Sequence, residues 1–149
     1  MDKIDRAILN VLQHNGRLSN VQLADKVGLS ESASLRRVKV LEESGVIAGY
    51  VMLVQREQVG KGGNVFVRVT LDGQQQSKLA EFEQALQAVP DVMSCFLMSG
   101  DFDYLLRVAI RDSNEYEAIH ARLTGLPGVL RIQSSFALRT VRDSTAIEL

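Results

Sequence analysis

Apolar residues recur at helical spacing through the first third of the chain and then at alternate positions through most of the remainder. Ile4, Ile8, Leu9 and Leu12, separated by Asp5, Arg6, Asn10 and Gln13, predict a first helix that ends at Asn15-Gly16. Ser19 is placed to cap a second helix, which carries Val21, Leu23, Ala24 and Val27 ahead of Gly28. Ser30 is placed to cap a third, with Leu35, Val38 and Leu41 as its apolar stripe and Gly45 just past its end. The stretch 46–54 is β-rich and broken by Gly49, which predicts a short hairpin or wing. Residues 55–64 contain Gly60, Gly62 and Gly63 and read as a linker.

The second half alternates between periods. Val65, Val67, Val69 and Leu71 share one face of a strand against Phe66, Arg68 and Thr70. A helix from a Ser77 cap to about Ala88 turns Leu79, Phe82, Leu86 and Val89 inward, and Pro90 follows. Residues 92–98 and 104–110 predict two strands joined by the polar turn Gly100-Asp101-Phe102-Asp103. Ser113 caps a helix with Tyr116, Ile119, His120 and Leu123; Leu126-Pro127-Gly128 breaks it, and residues 129–138 form the last strand. The order βαββαβ predicts two helices on one face of a four-stranded antiparallel sheet, a ferredoxin-like fold. The expected class is α+β: a (winged) helix-turn-helix over residues 1–54, a linker over 55–64, and a ferredoxin-like domain over 65–149.

The chain has 149 residues, 46% hydrophobic and 23% charged, with a net charge of −1. That balance suits a folded protein, and any surface for nucleic acid has to be local. The single cysteine, Cys95, excludes an internal disulfide framework and reads as a small buried hydrophobe. No apolar run approaches the ~18 residues of a membrane span, and the start is too charged for a signal peptide. The expected location is the cytoplasm, with no membrane partner.

The spacing from Leu23 to Leu41 carries the most specific chemistry. Ala24 allows two helices to cross closely, Gly28 takes the positive φ of the turn, and Ser30 caps the next helix at once. Wound at ~100° per residue with Leu35, Val38 and Leu41 inside, the third helix shows Ser32, Ala33, Arg36, Arg37 and Val40 outward, with Lys39 at the flank. Arginine reads guanine bidentately or holds a phosphate, and a helix N-terminus favours phosphate. The expected DNA-binding set is Arg17, Ser19, Ser30, Ser32, Ala33, Ser34, Arg36, Arg37 and Lys39, on double-stranded DNA. The plainer alternative is a three-helix interaction module with a solvated charged face.

With those residues in place, the chain resembles the leucine-responsive/asparagine-regulator (Lrp/AsnC) family of prokaryotic transcription regulators. The resemblance rests on Asp2 to Leu9, Asn15-Gly16-Arg17-Leu18-Ser19, Val27-Gly28-Leu29-Ser30, Leu35-Arg36-Arg37-Val38, Gly45-Val46-Ile47 with Gly49-Tyr50, Ser99 to Leu106, and Leu126-Pro127-Gly128-Val129, in that order. It departs at Ser32-Ala33-Ser34, where members often carry Pro-Cys, and in the tail Ser144 to Leu149. The resemblance implies assembly into homodimers and often octamers. It also implies an amino acid or related metabolite as effector, bound between subunits beside the Gly100-to-Tyr104 turn.

The residues of that turn fit such a ligand. Gly100 lets the backbone approach, and its neighbouring N–H groups can take a carboxylate. Asp101 or Asp103 is placed to receive an α-ammonium. Gln133 and Ser135 share a face of the last strand. The expected effector set is Ser99, Gly100, Asp101, Asp103, Tyr104, Gln133 and Ser135. The simpler account of the turn is aspartates that only cap backbone groups. No nucleophile–base arrangement, phosphate loop or metal-ligand cluster stands out, so neither an enzyme nor a cofactor is expected. The function expected is a sequence-specific, effector-modulated regulator. The rivals are a nucleoid-architecture protein and, more remotely, a metabolite-binding or enzymatic ferredoxin-like protein.

Overall fold

Three helices with well-formed starts build the N-terminal head. Asp2 opens α1 (Lys3–His14): its carboxylate accepts from the N–H groups of Ile4 and Asp5, while the Asp5 side chain accepts from the Asp2 N–H at 2.8 Å. Ser19 and Gln22 form the same reciprocal box at the start of α2 (Asn20–Val27), and Ser30 caps α3 (Glu31–Glu43). Between α2 and α3, Gly28 takes φ 67°, a left-handed conformation that any Cβ would disfavour. In this computed structural model, which describes residues 1–149, Ile8, Leu9, Leu23 and Leu41 form the centre of the head, and Ala24 is 2% exposed.

The second unit is a four-stranded antiparallel sheet in the order β2-β3-β1-β4. Its strands are β1 (Gly63–Leu71), β2 (Val92–Leu97), β3 (Tyr104–Ile110) and β4 (Val129–Phe136), and its helices are α4 (Gln76–Leu86) and α5 (Ser113–Thr124). Alternation decides the faces. Val65, Val67, Val69, Leu71, Leu106 and Val108 pack with Phe82 and Leu86 of α4 and Tyr116, Ile119 and Leu123 of α5. The register sets Phe66 opposite Arg107 and Ser135, and Arg68 opposite Leu105 and Gln133, on the face the helices leave uncovered. This is the ferredoxin-like plan that the alternating periods predict.

Five expectations change. Residues 46–54 form no strand within the chain; Val51 and Met52 are each 85% exposed, because a lone β-rich segment has no ladder to join. α4 starts from Gln75 without a side-chain cap rather than from Ser77, and α5 from Asp112, whose carboxylate accepts the Glu115 N–H at 2.9 Å, rather than from Ser113. The last strand stops at Phe136. The domain limits also move: the compact units are Met1–Leu53 with Val141–Leu149, and Val54–Thr140. Part of the expected linker belongs to the sheet unit, since Arg56 donates to Asn64 and to the Gly63 carbonyl, and Lys61 pairs with Asp91 and Glu115. The end of the chain belongs to the head. The Gln13 side-chain amide donates to the Ile147 carbonyl at 3.0 Å and accepts its N–H at 2.8 Å, and Leu149 packs on the apolar centre.

Candidate nucleic-acid interface and effector turn

The apolar stripe of α3 sits one residue away from where hydrophobicity alone puts it. Ser34 is fully buried beside Leu41 and half-buried Val38, whereas Leu35 is 59% exposed. Spacings of four and three residues both return to one helix face, so 34/38/41 and 35/38/41 are equally regular. The consequence is a correction: Ser34, expected on the DNA face, is enclosed in the head and its hydroxyl has no hydrogen-bond partner. The outward face of α3 consists of Ser32, Leu35, Arg36, Lys39 and Val40, and Ala33 is half-buried.

Arg37 is the second correction. Its guanidinium turns back to α1, 2.8 Å from the Asp2 carboxylate and 2.7 Å from that of Asp5. The same Asp2 carboxylate caps α1, so one residue starts a helix and ties it to another. Those bonds to the Asp5 N–H and to Arg37 hold the Asp2 carboxyl at about 2, below its ordinary 3.8. Arg37 is therefore a strut between α1 and α3, and the outward cations of α3 are Arg36 and Lys39. The Lys39–Glu43 pair, 3.7 Å apart and largely exposed, is weak and leaves Lys39 able to turn to a phosphate. Ser19 and Ser30 are exposed, with their hydroxyls engaged in capping, and Ser30 Oγ lies 3.3 Å from Ser32 Oγ. Arg17 is exposed at the approach to α2. The Asn20 side chain donates to the Glu31 carbonyl at 2.8 Å, so the starts of α2 and α3 are held together. Asn20 carries no distinctive signal in the sequence, where it is only a polar residue one position after a cap.

The turn between β2 and β3 leaves Ser99, Gly100 and Asp101 exposed. Gly100 has φ 129°, a conformation L side chains rarely adopt, and nothing lies within 4 Å of where its Cβ would stand. Space is open there, and the backbone alone requires glycine. Asp103, expected as an ammonium receptor, is turned inward and already engaged. It is buried, and its carboxylate accepts from the Leu71 N–H and from the Gln74 amide, each at 2.7 Å. Tyr104 also belongs to the interior: it is 1% exposed, lies 4.7 Å from the Phe82 ring, and donates to Glu83 at 2.7 Å. Burial and the Glu83 carboxylate push its phenol well above the ordinary value. The two corrections have different causes: the alternation that turns Leu106 and Val108 under the helices takes Tyr104 with them, whereas Asp103, at the adjacent position, is enclosed by its bonds to the Leu71 N–H and the Gln74 amide at the end of the turn.

Gln133 and Ser135 lie on the uncovered face, and Arg68 links that face to the turn. Arg68 stands opposite Gln133, and its guanidinium stacks over the Phe102 ring at 5.2 Å. The turn thus offers a positive φ with open space, the exposed carboxylate of Asp101, and a cation held nearby on an aromatic ring. Arg68 was legible only as a charged residue on a strand, because the register that brings it to Phe102 is set by pairing.

The remaining candidates have ordinary surroundings. Cys95 is exposed on the edge strand rather than buried, and partial desolvation and the Glu83 carboxylate raise its thiol to about 11. His14 pairs with the Asn10 carbonyl at 2.7 Å, and His120 meets the Tyr116 ring edge-on at 6.0 Å. No group of three or more His, Cys, Asp or Glu gathers as a metal site, and no helix is long and apolar enough to cross a membrane.

Residues 64–147 match the Lrp/AsnC ligand binding domain, and residues 1–48 match the winged helix-turn-helix DNA-binding model. The chain is 46% identical over 142 residues to the Bkd operon transcriptional regulator of Pseudomonas aeruginosa, covering 95% of this chain and 93% of that protein. It is 40% identical over 150 residues to the leucine-responsive regulatory protein of Haemophilus influenzae, covering 100% and 90%. Among solved structures, a transcriptional regulator from Neisseria meningitidis in complex with L-Met superposes with a TM-score of 0.93 at 38% identity, covering 99% of this chain and 96% of that one. An AsnC family regulator from Agrobacterium tumefaciens superposes at 0.95 with 35% identity over the same shares.

Proposed function

The chain belongs to the Lrp/AsnC family of transcription regulators, and from that premise we propose that it reads duplex DNA through the Ser32, Arg36 and Lys39 face of α3 and adjusts its binding to an amino acid held at the Gly100 turn. The observation that carries the DNA reading is the outward pair Arg36 and Lys39 on a helix whose start is fixed by Ser30 and Asn20. A recognition helix contacts bases from its N-terminal part and phosphates along its flanks, which is how these side chains are ordered. The amino-acid reading is supported by the Neisseria meningitidis relative, solved with L-Met. At the turn an α-carboxylate meets the N–H groups around Gly100, and Asp101 supplies the counter-charge for an α-ammonium. No cofactor is needed for either task.

A second copy of the chain completes the arrangement. The uncovered sheet face carries Phe66 and Phe96, 39% and 56% exposed, beside Leu105. Pairing two such faces makes a homodimer whose two α3 helices enter successive major grooves, ~34 Å apart. Effector binding then biases the subunit packing, with a coupling of ~1–3 kcal/mol as is usual for such switches. The protein acts on chromosomal DNA, hence in the cytoplasm.

The test is a polarisation titration over a range of salt, with duplex from upstream of its own gene and an unrelated duplex as competitor. Arg36→Ala is expected to cost ~1–3 kcal/mol of affinity per recognition helix and, where Arg36 holds a phosphate, to lower the salt slope by about 0.9 for each helix engaged. Arg37→Ala is expected to leave that slope unchanged. Unchanged affinity and slope in Arg36→Ala overturn the assignment, and equal competition by the unrelated duplex overturns sequence specificity.

A further inference from the structure

Leu35 is a large aliphatic side chain 59% exposed on the N-terminal part of the outward face of α3, among Ser32, Arg36 and Lys39; the other exposed aliphatic residue of that face, Val40, lies beyond them toward the helix end. Leu35 follows Ser32 by one turn, precedes Lys39 by one turn and adjoins Arg36. Its exposure follows from the phase of α3: Ser34 takes the buried position, and Arg37 is drawn to Asp2 and Asp5. Side chains on a helix lean toward its N-terminus, so Leu35 covers the turn around Ser32, the part of a recognition helix that meets base edges. Leaving that much hydrocarbon in water is unfavourable, and covering it with another apolar group recovers the loss. The flanking cations select an anionic partner for this face.

We propose that Leu35 is a specificity-determining residue that packs on the 5-methyl group of a thymine in the major groove, between a base or phosphate held by Arg36 and a phosphate held by Lys39. This rests on the DNA-binding reading above. Thymine is the base whose major-groove edge presents a methyl group, and apolar side chains recognise it by contact. Leu35 therefore favours T over C at one position of each half-site, with no hydrogen bond to that edge.

The test uses a duplex selected from a random pool by the full-length protein, then remade with deoxyuridine replacing thymidine one position at a time. Uracil keeps the pairing edge and removes only the methyl. Losing one buried methyl contact amounts to about a fourfold drop in affinity. The unaltered protein is expected to show that drop at one thymine of each half-site. Leu35→Ala is expected to bind more weakly and to lose the distinction between thymine and uracil there, while Arg36→Ala keeps it. Leu35→Met, which preserves an apolar side chain, is expected to retain much of it. Thermal melting checks that the variants fold, and alanine suits an exposed helix position. The inference is overturned if no thymine shows the drop, if Leu35→Ala shows the same drop, or if Leu35→Ala changes the particle mass, which would make the residue a protein contact. If no duplex is selected and Arg36→Ala leaves affinity unchanged, the DNA reading fails with it. If DNA binding holds and only the uracil effect is absent, Leu35 alone is misassigned.

Discussion

Gly100 concentrates in one residue the requirement that makes the β2–β3 turn a candidate site. Its φ of 129° excludes an unstrained β-branched residue, while the open space around it would admit one sterically. Gly100→Val therefore acts through the backbone, at a cost of ~1–3 kcal/mol, and re-aims the neighbouring N–H groups. The expected outcome is loss of the amino-acid response in calorimetry, with basal DNA affinity retained; an intact response would remove the turn from the effector site. The turn at this glycine was legible from Gly-Asp between two alternating runs. Asp103 and Tyr104, three and four positions later, were not separable from it in sequence. Their fate depends on Leu71 N–H, Gln74 and Glu83, which are distant along the chain. Ser34 shows the same limit: a small hydroxyl can fill a buried position, and no local rule prefers that to placing Leu35 there.

Among the elements, α1 and α3 are coupled by charge as well as by packing. The fold lowers the Asp2 carboxyl from 3.8 to about 2, so the folded head favours its ionised form. The stabilisation is complete above the unfolded value of 3.8 and is lost as pH falls toward 2. Asp2→Asn keeps an oxygen to cap α1 and removes the charge that holds Arg37. The expected outcome is a stability gap between the two proteins that is constant at neutral pH and closes between pH 4 and 2, followed by circular dichroism in urea. A gap unchanged through that range would show that Arg37 gains nothing from Asp2. The helices and strands themselves were legible to within a few residues, because capping serines, glycines and changes of period are local signals. The phase of α3 was not, since the carboxylates that draw Arg37 inward lie on another helix, more than thirty positions earlier. The hairpin expected at 46–54 failed for a related reason: β-rich composition reports that a segment suits a strand, and pairing needs a second strand that this chain does not supply there.

For the whole molecule, the sheet has one face covered by the helices and one bare, and the bare face is the one proposed to meet a second copy. Alternation predicted two faces for each strand, but which face the helices cover emerges only once β1 is paired on both sides. The bare face sets Phe66, Phe96 and Leu105 together with polar and cationic neighbours around them, the pattern of an apolar centre with a charged rim. Water contact with two half-exposed phenylalanines is removed if a second copy covers them, and the gain is ~25 cal/mol for each Å² of apolar surface buried. Phe96→Asp attacks that gain directly. Its side chain is more than half exposed on the bare face, so the single chain loses little there, whereas a mated face would have to enclose an unpaired carboxylate. The variant is expected to melt like the parent when monomeric and to run near the mass of one chain by light scattering, where the parent runs as a multiple. Because two recognition helices on one dimer bind a site with half-sites linked in space, the monomer is also expected to lose most of its affinity for a two-half-site duplex while keeping its weak affinity for a single half-site. An unchanged mass would place the subunit contact elsewhere, on the exposed Val51–Met52 segment first.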